Sequence, residues 1–276
     1  MTTKAQALIS DFQEHFELDI ADNDQHLLEQ VFRIRYRVYC EEFKYEPAEA
    51  FDSAQEKDEF DEHSVHCLVT HNNSGLAAGC VRLVTVDGDQ RMPMEKYCAS
   101  SLDPKLMARY ASDRDTICEF SRLAVDGAFR RRAGERASRF GELNAMDCSA
   151  KELRSFSMIA VSNFLAGFAI SDIIGRTHCF AMMEPFLPRL LKRSGILVER
   201  VGSDIEYHGI RAPYFITTES AVAGMPDELR AFYQAMHMRF SESLQPRHAA
   251  ANLQLAAPRQ ARIGVVSGLN RQQLAG

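Results

Sequence analysis

Between residues 27 and 39 the apolar side chains Leu27, Leu28, Val31, Phe32, Ile34, Val38 and Tyr39 recur at helical spacing. They gather on one face of the predicted helix. Asp22, with Gln25 three residues on, offers an N-cap for it. Ahead of it, "FELDIA" (16–21) reads as a strand. "SVHCLVTH" (64–71), the turn "NNSG" (72–75) and "LAAGCVRLVTV" (76–86) predict an antiparallel hairpin. Residues 87–116 are mixed, with a short helix near 104–111. "ICEFSRLAV" (117–125) is a further strand, and "DGAFRRRAGERASRFGELNAM" turns from it into a helix. "MIAVSNFLAGFAI" (158–170) reads as a buried helix. A strand at 177–183 follows, then a helix through "EPFLPRLLKRSG", two strands within 196–217 and a helix over 226–243. This order predicts an α+β (α/β three-layer) domain over residues 1–243, with a mixed, mostly antiparallel sheet flanked by helices. No acidic residue follows Glu242, and no periodicity is sustained there. Residues 244–276 are therefore expected to be a disordered, weakly basic tail.

Three charged residues interrupt this pattern. Arg35 falls near the centre of the apolar helical face. Arg82 alternates with Cys80, Val84 and Val86 on one face of its strand, and Glu119 lies inside the apolar strand 117–125. Buried charges are costly unless they meet a partner or a ligand. Arg35 and Glu119 are therefore the first candidates for function, whereas Arg82 also fits a side chain snorkelling at a sheet edge.

Composition narrows the classes. A net charge of −6 over 276 residues argues against a generic nucleic-acid binder. The seven cysteines are widely spaced, form no CxxC and lie mostly in apolar runs, which points to a reducing compartment and no disulfide framework. No cysteine has an evident His partner or basic neighbourhood. The N-terminus shows no apolar signal-peptide core, and the run 158–170 is too short for a membrane span. A cytoplasmic protein is expected.

"EKDEFD" (56–61) holds four carboxylates in six residues. A calcium-loop reading fails because no glycine occurs from 46 to 62. His63 and His66 lead into a strand, where a spacing of three separates their faces. No metal is expected. "FRRRAGERASR" groups Arg130, Arg131, Arg132, Arg136 and Arg139 where a strand enters a helix. This is either a solvated basic face or a docking surface for an acidic partner.

The motifs together resemble the acyl-homoserine-lactone synthases, acyltransferases of GNAT-like fold. "RYRVY" supplies Arg35 and Tyr39, with Tyr45 six residues later; "EKDEFD" supplies Glu56, Asp58 and Asp61; "GCVRL" supplies Arg82; "EFSRLAV" supplies Glu119 and Arg122. Tyr39 and Tyr45 stand where that family usually has Phe and Trp, around a site that takes S-adenosylmethionine. Arg131 and Gly134 match the GNAT pyrophosphate loop, whereas Arg136 stands at its second glycine. The C-terminal half, with "MEPFLPRLLKRSGI" and "EYHGIRAPYF", together with "RYRVYCEE" and "DEHSVHCL" upstream, resembles acyltransferases associated with PEP-CTERM/exosortase systems, related to N-acyl amino acid synthases. The resemblance implies the GNAT-like acyl-CoA N-acyltransferase fold. It also implies an acyl-phosphopantetheine thioester on acyl carrier protein as co-substrate, no further cofactor, and a small-molecule amine as acceptor. Backbone N–H groups near Leu123 to Val125 are implied to meet the thioester oxygen.

Acyl transfer to an amine needs a bound amine, a base and oxyanion stabilisation. Glu119, raised in pKa by burial, is the expected base, with Glu56 a second catalytic candidate. Glu56, Asp58 and Asp61 are expected to wall a cationic amine together with Arg35, Arg82 and Arg122. In a regular strand Glu119 and Arg122 point to opposite faces, so either a bulge lies between them or their roles differ. The helix 158–170 could help line an acyl site. An S-adenosylmethionine-using lactone synthase, a CoA-dependent acetyltransferase and a silent carrier-binding module stay open as alternatives.

Overall fold

The computed structural model describes residues 3–130 and 158–255, with side chains described for 4–130 and 158–244. The helices are α1 (Thr3–His15), α2 (Gln25–Arg35), α3 (Pro93–Tyr97), α4 (Pro104–Arg109), α5 (Gly127–Arg130), α6 (Met158–Ile173), α7 (Leu187–Arg193), α8 (Thr218–Gly224) and α9 (Asp227–Leu255). The strands are β1 (Phe16–Ile20), β2 (Ser64–His71), β3 (Ala77–Thr85), β4 (Ile117–Val125), β5 (His178–Met183), β6 (Glu199–Arg200), β7 (Ile205–Glu206) and β8 (Ile210–Thr217). They form one sheet in the order β1-β2-β3-β4-β5-β8-β6, with β7 also paired to β8. All pairs are antiparallel except β4 with β5. This is the mixed, mostly antiparallel sheet that the sequence predicts.

Strand alternation divides the core between two faces. Leu68, Cys80 and Ala124 pack with Val31, Phe32, Ile34 and Val38 of the α2 region. Cys67, Val69, Val81 and Leu83 face the other way, onto α1, α6 and α9. The central strand β3 is buried on both sides from Ala77 to Val84, with Arg82 the one charged residue among apolar and small ones. Helix α6 is enclosed nearly all round, and its Ser162 and Ser171 hydroxyls donate to the carbonyls of Ile159 and Phe168. Gly167 lets the Phe120 ring lie against α6, since a Cβ there would meet that ring at 2.8 Å. No helix among the described residues is long and apolar enough to cross a membrane.

Several elements differ from expectation. The cap of α2 is Asp24, which accepts from the amides of His26 and Leu27, not Asp22. Asp22 instead accepts from His66, through the His66 amide at 2.6 Å and with its ring Nδ1 at 2.8 Å. After Arg35 the helix widens into a π-helix over Tyr36–Glu42. Three strands occupy 196–217 instead of two. Helix α1 is additional: it carries a repeat of Ala5, Ile9 and Phe12, whose polar surroundings hid it. Helix α9 runs past 243 to Leu255, and 256–276 lie outside the described residues.

Two features of β4 open the site. First, Cys80 pairs with Ala124 and Arg82 with Ser121, so two steps along β3 correspond to three along β4. The extra residue is a β-bulge, and Arg122 sits in it with φ of 50°. A non-glycine side chain in this region costs about 1–3 kcal/mol, a strain the surroundings must hold. Second, β4 pairs with β5 only from Ile117–Phe120 against His178–Ala181. Beyond that point the strands part, and a cleft opens at the bulge.

Candidate active site

The bulge resolves the conflict between Glu119 and Arg122. Glu119 and Ser121 pair with Val84 and Arg82, on the α2 face of the sheet. One inserted residue then resets the alternation, so Arg122 also reaches that face.

Beneath α2, three guanidinium groups and three carboxylates form a closed network. Arg35 donates to Glu56 Oε2 at 2.5 Å and to both oxygens of Asp61 at 2.6 and 3.1 Å. Arg82 donates to Asp58 at 2.5 Å, Asp61 at 2.8 Å and the Ser121 hydroxyl at 2.9 Å. Arg122 closes the ring on Glu56 Oε1 at 3.0 Å and Asp58 Oδ2 at 3.0 Å. The E-x-D-x-x-D spacing aims residues 56, 58 and 61 inward from one short segment, pinned where the Glu56 amide donates to Phe32 O at 3.1 Å. Glu59, between them, is exposed and pairs with Lys96.

Burial pushes Asp61 towards its neutral form. The His66 hydrogen bond and the charges of Arg35 and Arg82 outweigh that and hold it far below the usual carboxylate range. Asp58 is likewise driven up by burial and brought below its usual value by Arg82 and Arg122. Burial alone would discharge Arg35 and Arg122. Glu56 with Asp61 for the first, and Glu56 with Asp58 for the second, instead hold both above the ordinary guanidinium value.

Beside this network lies a cavity of about 550 Å3. Of the residues singled out from sequence, Tyr39, Tyr45, Glu119, Arg122, Leu123, Val125 and Arg130 line it. Arg35, Arg82, Glu56, Asp58 and Asp61 stand behind that wall. The three carboxylates therefore face guanidinium groups rather than an open cavity. Glu56 in particular is fully buried between Arg35 and Arg122, a position that orders arginines. Arg131, Arg132, Gly134 and Arg136 lie outside the described residues.

Glu119 stands apart from the ion-pair ring. Its carboxyl is 2% exposed and accepts one hydrogen bond, from the Met94 amide at 2.8 Å. Burial pushes its pKa up to about 8, against the opposing pull of Met94 N–H, Arg82 and Arg122. The Tyr39 hydroxyl donates to Leu123 O at 3.1 Å, and the Arg122 guanidinium lies 5.3 Å from the Tyr39 ring. Tyr39 thus braces the bulge from the π-helix, a role its position in the sequence does not reveal.

The cavity joins two chemistries. Phe120, Phe164, Met183, Leu187 and Leu190 supply an apolar lining. Tyr45, Glu184, Tyr207, His208 and Arg211 supply a polar one. This second group includes residues that sequence reasoning left without a role. Tyr207 and His208 reach the cavity from a left-handed turn, where His208 has φ of 53° and Gly209 of 88°.

Residues 34–138 match the family model of an acetyltransferase (GNAT) domain. No curated protein sequence matches the chain. Among solved structures, TofI in a ternary complex with an inhibitor and MTA superposes with a TM-score of 0.54 at 16% identity, covering 78% of this chain and 99% of that one. The AHL synthase LasI gives 0.51 at 17% identity, over 77% and 97% of the two chains. BjaI, a CoA-dependent acyl-homoserine lactone synthase with SAM and isopentyl-CoA, gives 0.52 at 19%, over 82% and 88%. The bulged β4, the parting of β4 from β5 and these superpositions agree: the chain has a GNAT-like acyltransferase fold.

Proposed function

We propose that the protein is an N-acyltransferase that moves a fatty acyl group from an acyl carrier protein thioester to the amine of an amino acid or related small molecule. The observation that carries this reading is Glu119. It is a nearly fully buried carboxyl with a pKa near 8, on the wall of a cavity that is part apolar and part cationic. A base poised near the working pH is what amine attack requires. The amine nitrogen attacks the thioester carbonyl and the C–N bond forms. The C–S bond breaks, the amine's proton passes to Glu119, and Glu119 hands that proton on to the leaving thiolate. In this reading residues Leu123 to Val125, just past the bulge, present backbone N–H groups to the developing oxyanion. Arg35, Arg82, Glu56, Asp58 and Asp61 hold Arg122 and the bulge in place. The apolar lining accepts the acyl chain.

Acyl carrier protein as donor is supported by the basic segment Arg130 to Arg136, which suits an acidic docking surface. A thiol-bearing donor and buried free cysteines both suit a reducing, cytoplasmic setting. The tie to exosortase systems rests on sequence resemblance in the C-terminal half.

The test offers palmitoyl-loaded acyl carrier protein, or palmitoyl-CoA, with a pool of amino acids, with and without S-adenosylmethionine. Thiol release with N-palmitoyl amino acids in the mass spectrum is expected, faster from the carrier protein. A lactone formed only with S-adenosylmethionine would overturn the reading. Charge reversal at Arg131 and Arg132 is expected to raise KM for the carrier at least about 10-fold with little change in kcat. An equal rise for CoA would show that the segment does not read the carrier.

A further inference from the structure

We infer that Arg211 is the residue that reads the carboxylate of an amino-acid acceptor; this rests on the acyltransferase reading above. Three described arginines line the cavity: Arg122, Arg130 and Arg211. Arg122 meets Glu56 and Asp58 at 3.0 Å, and Arg130 pairs with Glu42 and the Val125 carbonyl. Arg211 is held more loosely, and its Nε has no hydrogen-bond partner. Its side chain is 16% exposed, its Nε is buried without any hydrogen bond, and its nearest carboxylate, Glu184, stands 3.8 Å from Nη2. A buried guanidinium N–H without an acceptor is unfavourable, and a planar anion is the group that its fork geometry accepts.

The surroundings fix this guanidinium in place. Arg211 lies over the Tyr45 ring at 5.5 Å, and the Tyr45 hydroxyl donates to Glu184 at 3.5 Å. The left-handed His208 lies 5.3 Å from the same ring and bonds Glu46 through Nε2 at 3.3 Å. Glu184 is 37% exposed, so water screens its like charge against an incoming carboxylate. An acceptor carboxylate supplies Arg211 with a partner of the right sign. Amines without a carboxylate leave Arg211 Nε orphaned. Sites built to pair a buried polar group reject analogues that lack its partner.

The experiment uses the full-length protein with palmitoyl carrier protein and two acceptor pools: the twenty α-amino acids, and their α-carboxamides at equal concentration. The ratio of amide formed from the two pools is expected to favour the amino acids at least about 100-fold. Arg211→Gln is expected to bring that ratio close to one, chiefly through KM, and Arg211→Lys to give an intermediate ratio while keeping the charge and the fold. A wild-type ratio near one would overturn the inference while leaving acyl transfer intact. So would an unchanged preference in Arg211→Lys and Arg211→Gln. No amide from either pool would overturn the acyltransferase reading itself.

Discussion

Replacing Glu119 by glutamine is expected to lower turnover about 100- to 10,000-fold, the range lost with a general base, while making the protein more stable in alkali. The two effects have one cause. Burial holds the native carboxyl at about 8, whereas an unfolded glutamate titrates near about 4.3. Between those values the native state binds more protons than the unfolded chain. Stability therefore falls as pH rises from about 4.3 to 8, and the full penalty persists above that. Glutamine stays neutral at every pH and can still accept from the Met94 amide. At pH 9 its urea midpoint should lie above that of wild type, a gain on the order of a few kcal/mol in unfolding free energy. With acceptor saturating, the wild-type rate should climb to a plateau through pH 8, and the variant should lack that limb. A variant that loses activity and also loses stability at pH 9 would mark Glu119 as an ordinary structural partner.

The second large effect lies behind the cavity wall. Arg35→Met is expected to destabilise the fold by about 3–5 kcal/mol, because it leaves Glu56 and Asp61 buried with too few partners. The double variant Arg35→Met/Glu56→Gln should cost less than the sum of the two single variants, since each removes a charge that the other leaves stranded. Urea midpoints on the four proteins measure this coupling. A single-variant cost below about 1 kcal/mol would place the ring among ion pairs of surface strength. Because Arg122 is one of its members, loosening the ring should also blur the bulge that opens the cleft.

Parts of this arrangement are legible in the sequence. The 27–39 periodicity placed Arg35 at the centre of a buried face, and the apolar run 117–125 enclosed Glu119. The hairpin and the central strands follow from alternation and a turn. Period-2 alternation sets Glu119 against Arg122 and so raises a bulge as one answer, but nothing in "EFSRLAV" marks Arg122 as the left-handed residue that turns the two to the same side. Nor does an acidic run reveal what it faces. "EKDEFD" read equally well as a wall for an amine, and the fold turned its inward carboxylates onto arginines brought from α2, β3 and β4. Arg211 was invisible for a related reason. Its role depends on an Nε left without a hydrogen bond, and a missing contact across the sheet leaves no trace in local composition.

N-acyl transfer is tested most directly by the fate of one nitrogen. Incubating the protein with palmitoyl carrier protein and nitrogen-15-labelled amino acids should move the label into a lipid-extractable amide, one for each thiol released. Thiol released with free palmitate and unlabelled lipid would contradict it.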